Sequence, residues 1–181
     1  MRVEESTVQC QIPCLQHIAE GEAKGPPESL SRRFKLAVRR RMSPSREQVF
    51  KRRTNDLFNW FARVTGGTER PVAVPAVTAA TKLQAGDQVR VRSDEEIQAT
   101  LNHWRQLKGC TFMPEMAPYC DSTQTVLRRM ERFVDERDLR VKKVKGIILL
   151  EGLQCQGTAD FGPCDRGCYY FWREEWLEKL D

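Results

Sequence analysis

The sequence predicts an α+β protein, with N-terminal helices followed by a small antiparallel β-barrel-like domain that carries a cysteine metal site. Three observations support this. Between Ser45 and Val64, apolar residues recur at three- and four-residue steps, the period of one helix face. From Gly86 the pattern becomes strand-like: Val89 and Val91 alternate after a Gly-Asp turn, and β-branched Val141, Val144, Ile147 and Ile148 follow. Residues 155–168 then hold Cys155, Cys164 and Cys168 among polar and turn-forming neighbours.

The chain has 181 residues, 30% of them charged, and a mean hydropathy of −0.59. That is room for one domain with extensions. No apolar run approaches the ~20 residues that span a bilayer. The longest candidate, "GIILLEGL", is interrupted by Glu151 and suits a buried strand. The N-terminus lacks the basic-then-apolar order of a secretory signal, so the expected compartment is the cytoplasm. There, clustered cysteines serve metals or redox chemistry more often than disulfides.

Four regions follow along the chain. Residues 1–29 read as a flexible arm of small, polar and Gly/Pro residues. Residues 30–66 form a basic helical region. Its second helix follows Ser45, where "SREQ" has capping-box spacing. Val49, Phe50, Leu57, Phe58, Phe61 and Val64 give that helix a face that should pack on something, and Gly66-Gly67 ends it. Residues 67–82 are a Pro- and Ala-rich linker.

Residues 83–181 make the compact domain. Its entry strand should hold Arg90 and Arg92 on the wet face, and Ser93 with Glu96 should cap a short helix presenting Ile97 and Leu101. "CTFMPEMAPYC" reads as a proline-broken loop. "TVLRRMERFVDERD" suits helix or strand, but the β-branched run after it needs a neighbour, and "DERD" offers a polar turn. Two antiparallel strands are therefore expected. "YYFWREEWLEKL" closes the chain as a strand or short helix.

Between Arg32 and Arg53 lie ten basic residues (Arg32, Arg33, Lys35, Arg39, Arg40, Arg41, Arg46, Lys51, Arg52 and Arg53) against one acid, Glu47. Such a patch suits nucleic-acid phosphates, anionic lipid heads or an acidic protein, or it is simply a solvated helix face.

The cysteines are not equivalent. Cys164 and Cys168 flank "DRG" and should lie on a tight turn. Cys155 follows an apolar strand, and Cys120 ends the proline-rich loop. A turn supplying two thiolates, completed from other loops, is how structural zinc sites are built. The alternative for any one cysteine is a small buried hydrophobe. Cys110 could replace Cys120 or be an ordinary buried thiol. Cys10 and Cys14, even with His17, lack a fourth ligand and should remain reactive thiols that bind no metal tightly.

Catalysis finds no positive support. A thiol nucleophile needs a histidine base, but of the only two histidines, His17 falls in the arm and His103 beside Trp104, which reads them as surface or packing residues. "CDRGCYYF" starts like the C-x3-C-x2-C loop of radical enzymes, but Phe171 stands where the third cysteine would be. Phosphate-loop, dinucleotide and hydrolase motifs are absent.

On "GDQVRVRSDEEIQATL", "FMPEM", "YC", "ILLEGLQCQG", "CDRGC" and "FWREEWL", residues 86–180 resemble a family of small, poorly characterised bacterial proteins associated with biosynthetic gene clusters. The resemblance implies Cys120, Cys155, Cys164 and Cys168 as the cysteine set. The family's His-Lys-Thr-Cys element is replaced here by "ERFVDE", so its role does not carry over. "GDQVRVRS" is also similar to the first strand of SH3-like barrels, which serve as binding modules.

The expectation is a zinc-stabilised binding or accessory module for another protein, in which metal reinforces a small core. An iron–sulfur electron-transfer protein is the alternative: four thiolates also hold a [2Fe–2S] cluster, and Tyr169, Tyr170, Phe171 and Trp172 would shield it. A nucleic-acid-binding protein using the basic helices is the third reading.

Overall fold

The structure, a computed structural model, describes residues 30–65, 82–136, 140–159 and 161–180. The arm 1–29, with Cys10, Cys14 and His17, lies outside the described residues, as do residues 66–81 of the glycine stop and linker.

Two helices lead the chain, α1 (Leu30–Arg41) and α2 (Pro44–Val64). The start of α2 differs from the expected one by two residues. Ser43, not Ser45, is the N-cap, its hydroxyl accepting from the Arg46 amide at 3.4 Å. Pro44 explains the shift, because proline favours the first helical position, where its missing N–H is no loss.

The compact body is α+β and almost wholly antiparallel. Its main sheet runs β8-β5-β4-β1-β9. The strands are β1 (Gln88–Val91), β4 (Thr123–Asp135), β5 (Arg140–Leu150), β8 (Trp172–Arg173) and β9 (Leu177–Lys179). The ambiguous segment is a strand, pairing with β5 from Val126↔Leu150 to Asp135↔Arg140. Its apolar residues satisfy either period. The long partner run, which needs a neighbour for its backbone groups, decides between them.

No closed barrel forms, contrary to the barrel-like expectation: β8 and β9 are free edges of one open sheet. The sheet is nevertheless curled. Five flat strands would separate their edges by roughly 19 Å, whereas the four links from Arg173 to Leu177 reach at most about 15 Å. The link between them is a 3-10 turn, Glu174–Trp176, with Glu175 and Trp176 buried.

Helix α3 (Asp94–Ala99) has its full capping box. The Ser93 hydroxyl accepts from the Glu96 amide at 3.2 Å, and the Glu96 carboxylate accepts from the Ser93 amide at 2.9 Å. The proline-broken segment holds a short hairpin, β2 (Gln106–Leu107) with β3 (Cys110–Thr111), then a 3-10 turn over Pro114–Tyr119.

The core gathers Val89, Val91, Ile97, Phe112, Met116, Val126, Ile148, Leu150, Trp172 and Trp176, all buried. Phe112 meets Trp176 edge-on at 5.5 Å and Trp172 at 6.4 Å. The Trp176 indole donates to the Thr100 hydroxyl at 3.0 Å, which in turn donates to the Ile97 carbonyl at 2.7 Å. A buried polar pair is thereby satisfied at the centre of an apolar cluster.

Beside this core lies a buried ion pair. Arg173 donates twice to Glu175, at 2.9 and 2.8 Å, and once to the Lys145 carbonyl at 3.0 Å. Lys108 adds a third contact to Glu175 at 2.6 Å. Burial works to raise the Glu175 carboxyl, but the hydrogen bonds from Arg173 and Lys108 outweigh it and hold it down at about 2. A bulge in β5 makes room: Glu131 alone faces Val144–Gly146. A Cβ on Gly146 would stand 2.8 Å from the Arg173 guanidinium.

Candidate functional site

Three of the four cysteines expected to bind metal lie on one two-stranded ribbon, β6 (Gln154–Thr158) paired with β7 (Gly162–Tyr169). Cys155 and Cys168 stand directly opposite each other. Opposed residues of an antiparallel pair project to the same face, with Cβ atoms about 5 Å apart.

The "CDRGC" segment is not the expected tight turn. It is part of β7, and the reversal falls earlier, near Gly162. Between the pairs Gly157↔Pro163 and Cys155↔Cys168, four residues, Cys164–Gly167, face Gln156 alone. The extra residues form a wide bulge with Gly167 at φ 64°. Gly157 is required at the near end, since a Cβ there would lie 2.2 Å from the Gly162 carbonyl oxygen.

Cys155 is half-buried and packs against the core. Its thiol and the Gly157 backbone are mutually within 3.4 Å. It also interacts with the buried Tyr170, whose hydroxyl burial pushes up first and Cys155 second. Tyr119 meets that same ring at a tilt, with centroids 6.2 Å apart. Cys164 and Cys168 are exposed. Arg166, between them in sequence, interacts electrostatically with both, and its pairing with Glu136 ties the bulge to the far end of β4.

Cys120 is not part of this ribbon but of the segment that follows Pro114–Tyr119. There burial, then Asp94 and Asp121, push its thiol up to about 11. Among the described residues, no three His, Cys, Asp or Glu side chains share a metal-ligating arrangement. That covers Cys120, Cys155, Cys164 and Cys168. The donor chemistry suits zinc, but the described arrangement does not converge on one point. Cys110 is a packing residue: its thiol donates to the Phe171 carbonyl at 3.2 Å, and burial raises it to about 11.

His103 also packs. It stacks on Phe58 of α2 at 4.0 Å and meets Trp104 edge-on. Of the basic residues singled out, Arg32, Arg33, Lys35, Arg39 and Arg40 lie along α1, while the described side chains of Arg41, Arg52 and Arg53 are exposed. Lys51 is half-buried and pairs with Glu47 at 3.0 Å.

Sequence reasoning missed Arg166 and Glu115. The signal for Arg166 was its place inside "CDRGC". Glu115 accepts from the Ala159 amide at 3.2 Å at the ribbon's end, and its other carboxylate oxygen is buried with no hydrogen-bond partner. No local pattern could reveal that, because Glu115 and Ala159 are far apart in the chain. No protein-family model, curated protein or solved structure matches this chain.

Proposed function

We propose that the chain is an accessory binding module for another protein, and that its cysteine ribbon takes up one zinc ion. Cys155, Cys164 and Cys168 are the principal ligands and Cys120 the fourth candidate. The observation that carries this reading is the placement of three thiols on one ribbon, two of them cross-strand partners and the third at the far end of a glycine-containing bulge. A bulge can re-aim side chains without breaking the ribbon, so closure of Cys164 toward the Cys155–Cys168 pair is the required movement. Zinc binds thiolates, so uptake by Cys120 releases a proton, and affinity should rise with pH. When bound, the metal would supply a cross-link that reinforces the ribbon.

The test is elemental analysis of the full chain purified without oxygen. About one equivalent of zinc in a colourless protein is expected, and Cys164→Ser with Cys168→Ser should remove it. Visible absorption bands would replace zinc with an iron–sulfur cluster. Metal-free protein that takes up no added zinc would overturn the reading.

A further inference from the structure

The large apolar side chains described on α1 and α2 are exposed. On α2, Val49, Leu57, Trp60, Phe61 and Val64 are each half or more exposed. At 3.6 residues per turn they share one arc of roughly 120°. Phe50 lies within that arc and Phe58 beyond its edge, and they touch Trp104 and His103 of the β-rich body, respectively, while remaining about half exposed. The better covered side of the helix is the polar one, with Glu47, Lys51, Thr54, Asn55 and Ala62. Helix α1 adds a second stripe at four-residue steps, Leu30, Phe34 and Val38, all exposed. A helix of a globular protein normally turns its apolar stripe toward the core. Here the opposite holds on two consecutive helices.

Charge accompanies the apolar arc. Arg46 and Arg53 lie within it, and Arg52 and Arg63 beside it, all exposed. Residues 30–66 hold eleven basic and two acidic side chains, a net charge of +9 in a chain whose total is +5. No described helix is long and apolar enough to cross a membrane. Aromatic and aliphatic residues on one face, arginines along it and low overall hydrophobicity describe a helix that lies in a bilayer interface rather than spanning it.

We propose that α1 and α2 are an interfacial anchor for an anionic lipid bilayer. Phe34, Leu57, Trp60 and Phe61 enter the acyl boundary, while the arginine stems run along it and carry their guanidinium groups to the lipid phosphates. A nucleic acid would use the cations but leave the valines and leucines of the arc in water. A second copy would cover the arc but bring two strongly positive regions together. An anionic surface uses both features at once.

The experiment is co-sedimentation of the full chain with vesicles of phosphatidylcholine, alone or mixed with phosphatidylglycerol. Binding is expected to the mixed vesicles, weakening with added salt, and to be slight on phosphatidylcholine alone. Arg52→Gln with Arg53→Gln should weaken partitioning roughly fivefold per cation removed. Leu57→Ser with Phe61→Ser should weaken it about tenfold or more. Both pairs are exposed, so near-ultraviolet circular dichroism and thermal unfolding of the body should match the unmodified chain. Unchanged binding by both variants would overturn the proposal. So would binding to duplex DNA but not to vesicles, or concentration-dependent dimerisation without vesicle binding.

Discussion

The β-rich body and the helical region handle apolar residues in opposite ways. In the body, Trp172 and Trp176 are fully buried, and a charged pair, Arg173–Glu175, is buried beside them with its hydrogen bonds made. On the helices, Trp60 is 54% exposed and Phe34 72%. Of the fifteen described large apolar residues that are exposed, ten lie on α1 and α2. Residue type therefore does not decide burial here. A strand must find neighbours for its backbone, and curling the sheet to supply them creates an interior. A helix satisfies its own backbone and can leave its apolar face uncovered.

This contrast predicts a graded set of effects. The largest is expected from Trp176→Ala, which removes a fully buried indole and its bond to Thr100. The cost should be about 3–5 kcal/mol, read from denaturant unfolding followed by far-ultraviolet circular dichroism. Trp60→Ala on α2 should change the same transition by less than about 0.5 kcal/mol. Equal losses at the two positions would erase the distinction between the regions.

Glu175→Gln should cost a similar amount, about 3 kcal/mol or more, because it leaves the Arg173 charge buried without its counter-ion. The same carboxyl predicts a pH effect. It titrates at about 2 in the folded chain against 4.5 ordinarily. Its stabilisation is therefore fully present above about pH 4.5 and is lost as pH falls toward 2, by roughly 3 kcal/mol at the extreme. Unfolding curves across that range should show the loss in the unmodified chain and much less of it in Glu175→Gln. A parallel loss in both would assign acid sensitivity to other carboxylates.

A smaller effect, about 1 kcal/mol, is expected from Ser93→Ala, which removes the α3 cap within the body. The smallest is expected from Phe61→Ser on the exposed arc, within about 0.5 kcal/mol in the absence of lipid. Destabilisation by several kcal/mol there would mean that the arc is already covered in the isolated chain.

Legibility of the fold varied with the range of the deciding interaction. The α3 capping box, with its partners three residues apart, is legible from Ser93 and Glu96. The "TVLRRM" segment could be assigned only through the neighbour that its partner run required. "CDRGC" reads locally as a turn but lies within β7. Local glycine and proline chemistry announces that a chain deviates, but the register with β6 makes the deviation a bulge, not a reversal. Glu115 was invisible for the same reason, since its partner Ala159 is forty-four residues away.

Short-range sequence is enough for the α+β class, the periodicity of α2, the α3 cap, the concentration of positive charge in residues 30–66 and the clustering of three cysteines in one short stretch. Each rests on residues near one another in the chain, where backbone geometry leaves few outcomes. Long-range pairing is what leaves the sheet open and sets Cys155 opposite Cys168. Tertiary structure also paired Arg173 with Glu175 under Lys108 and left the apolar arc of α2 exposed. Those outcomes depend on which distant surfaces meet, and hydrophobic burial is non-directional: it drives apolar residues together without specifying the partner. Register and sheet curvature supply that choice.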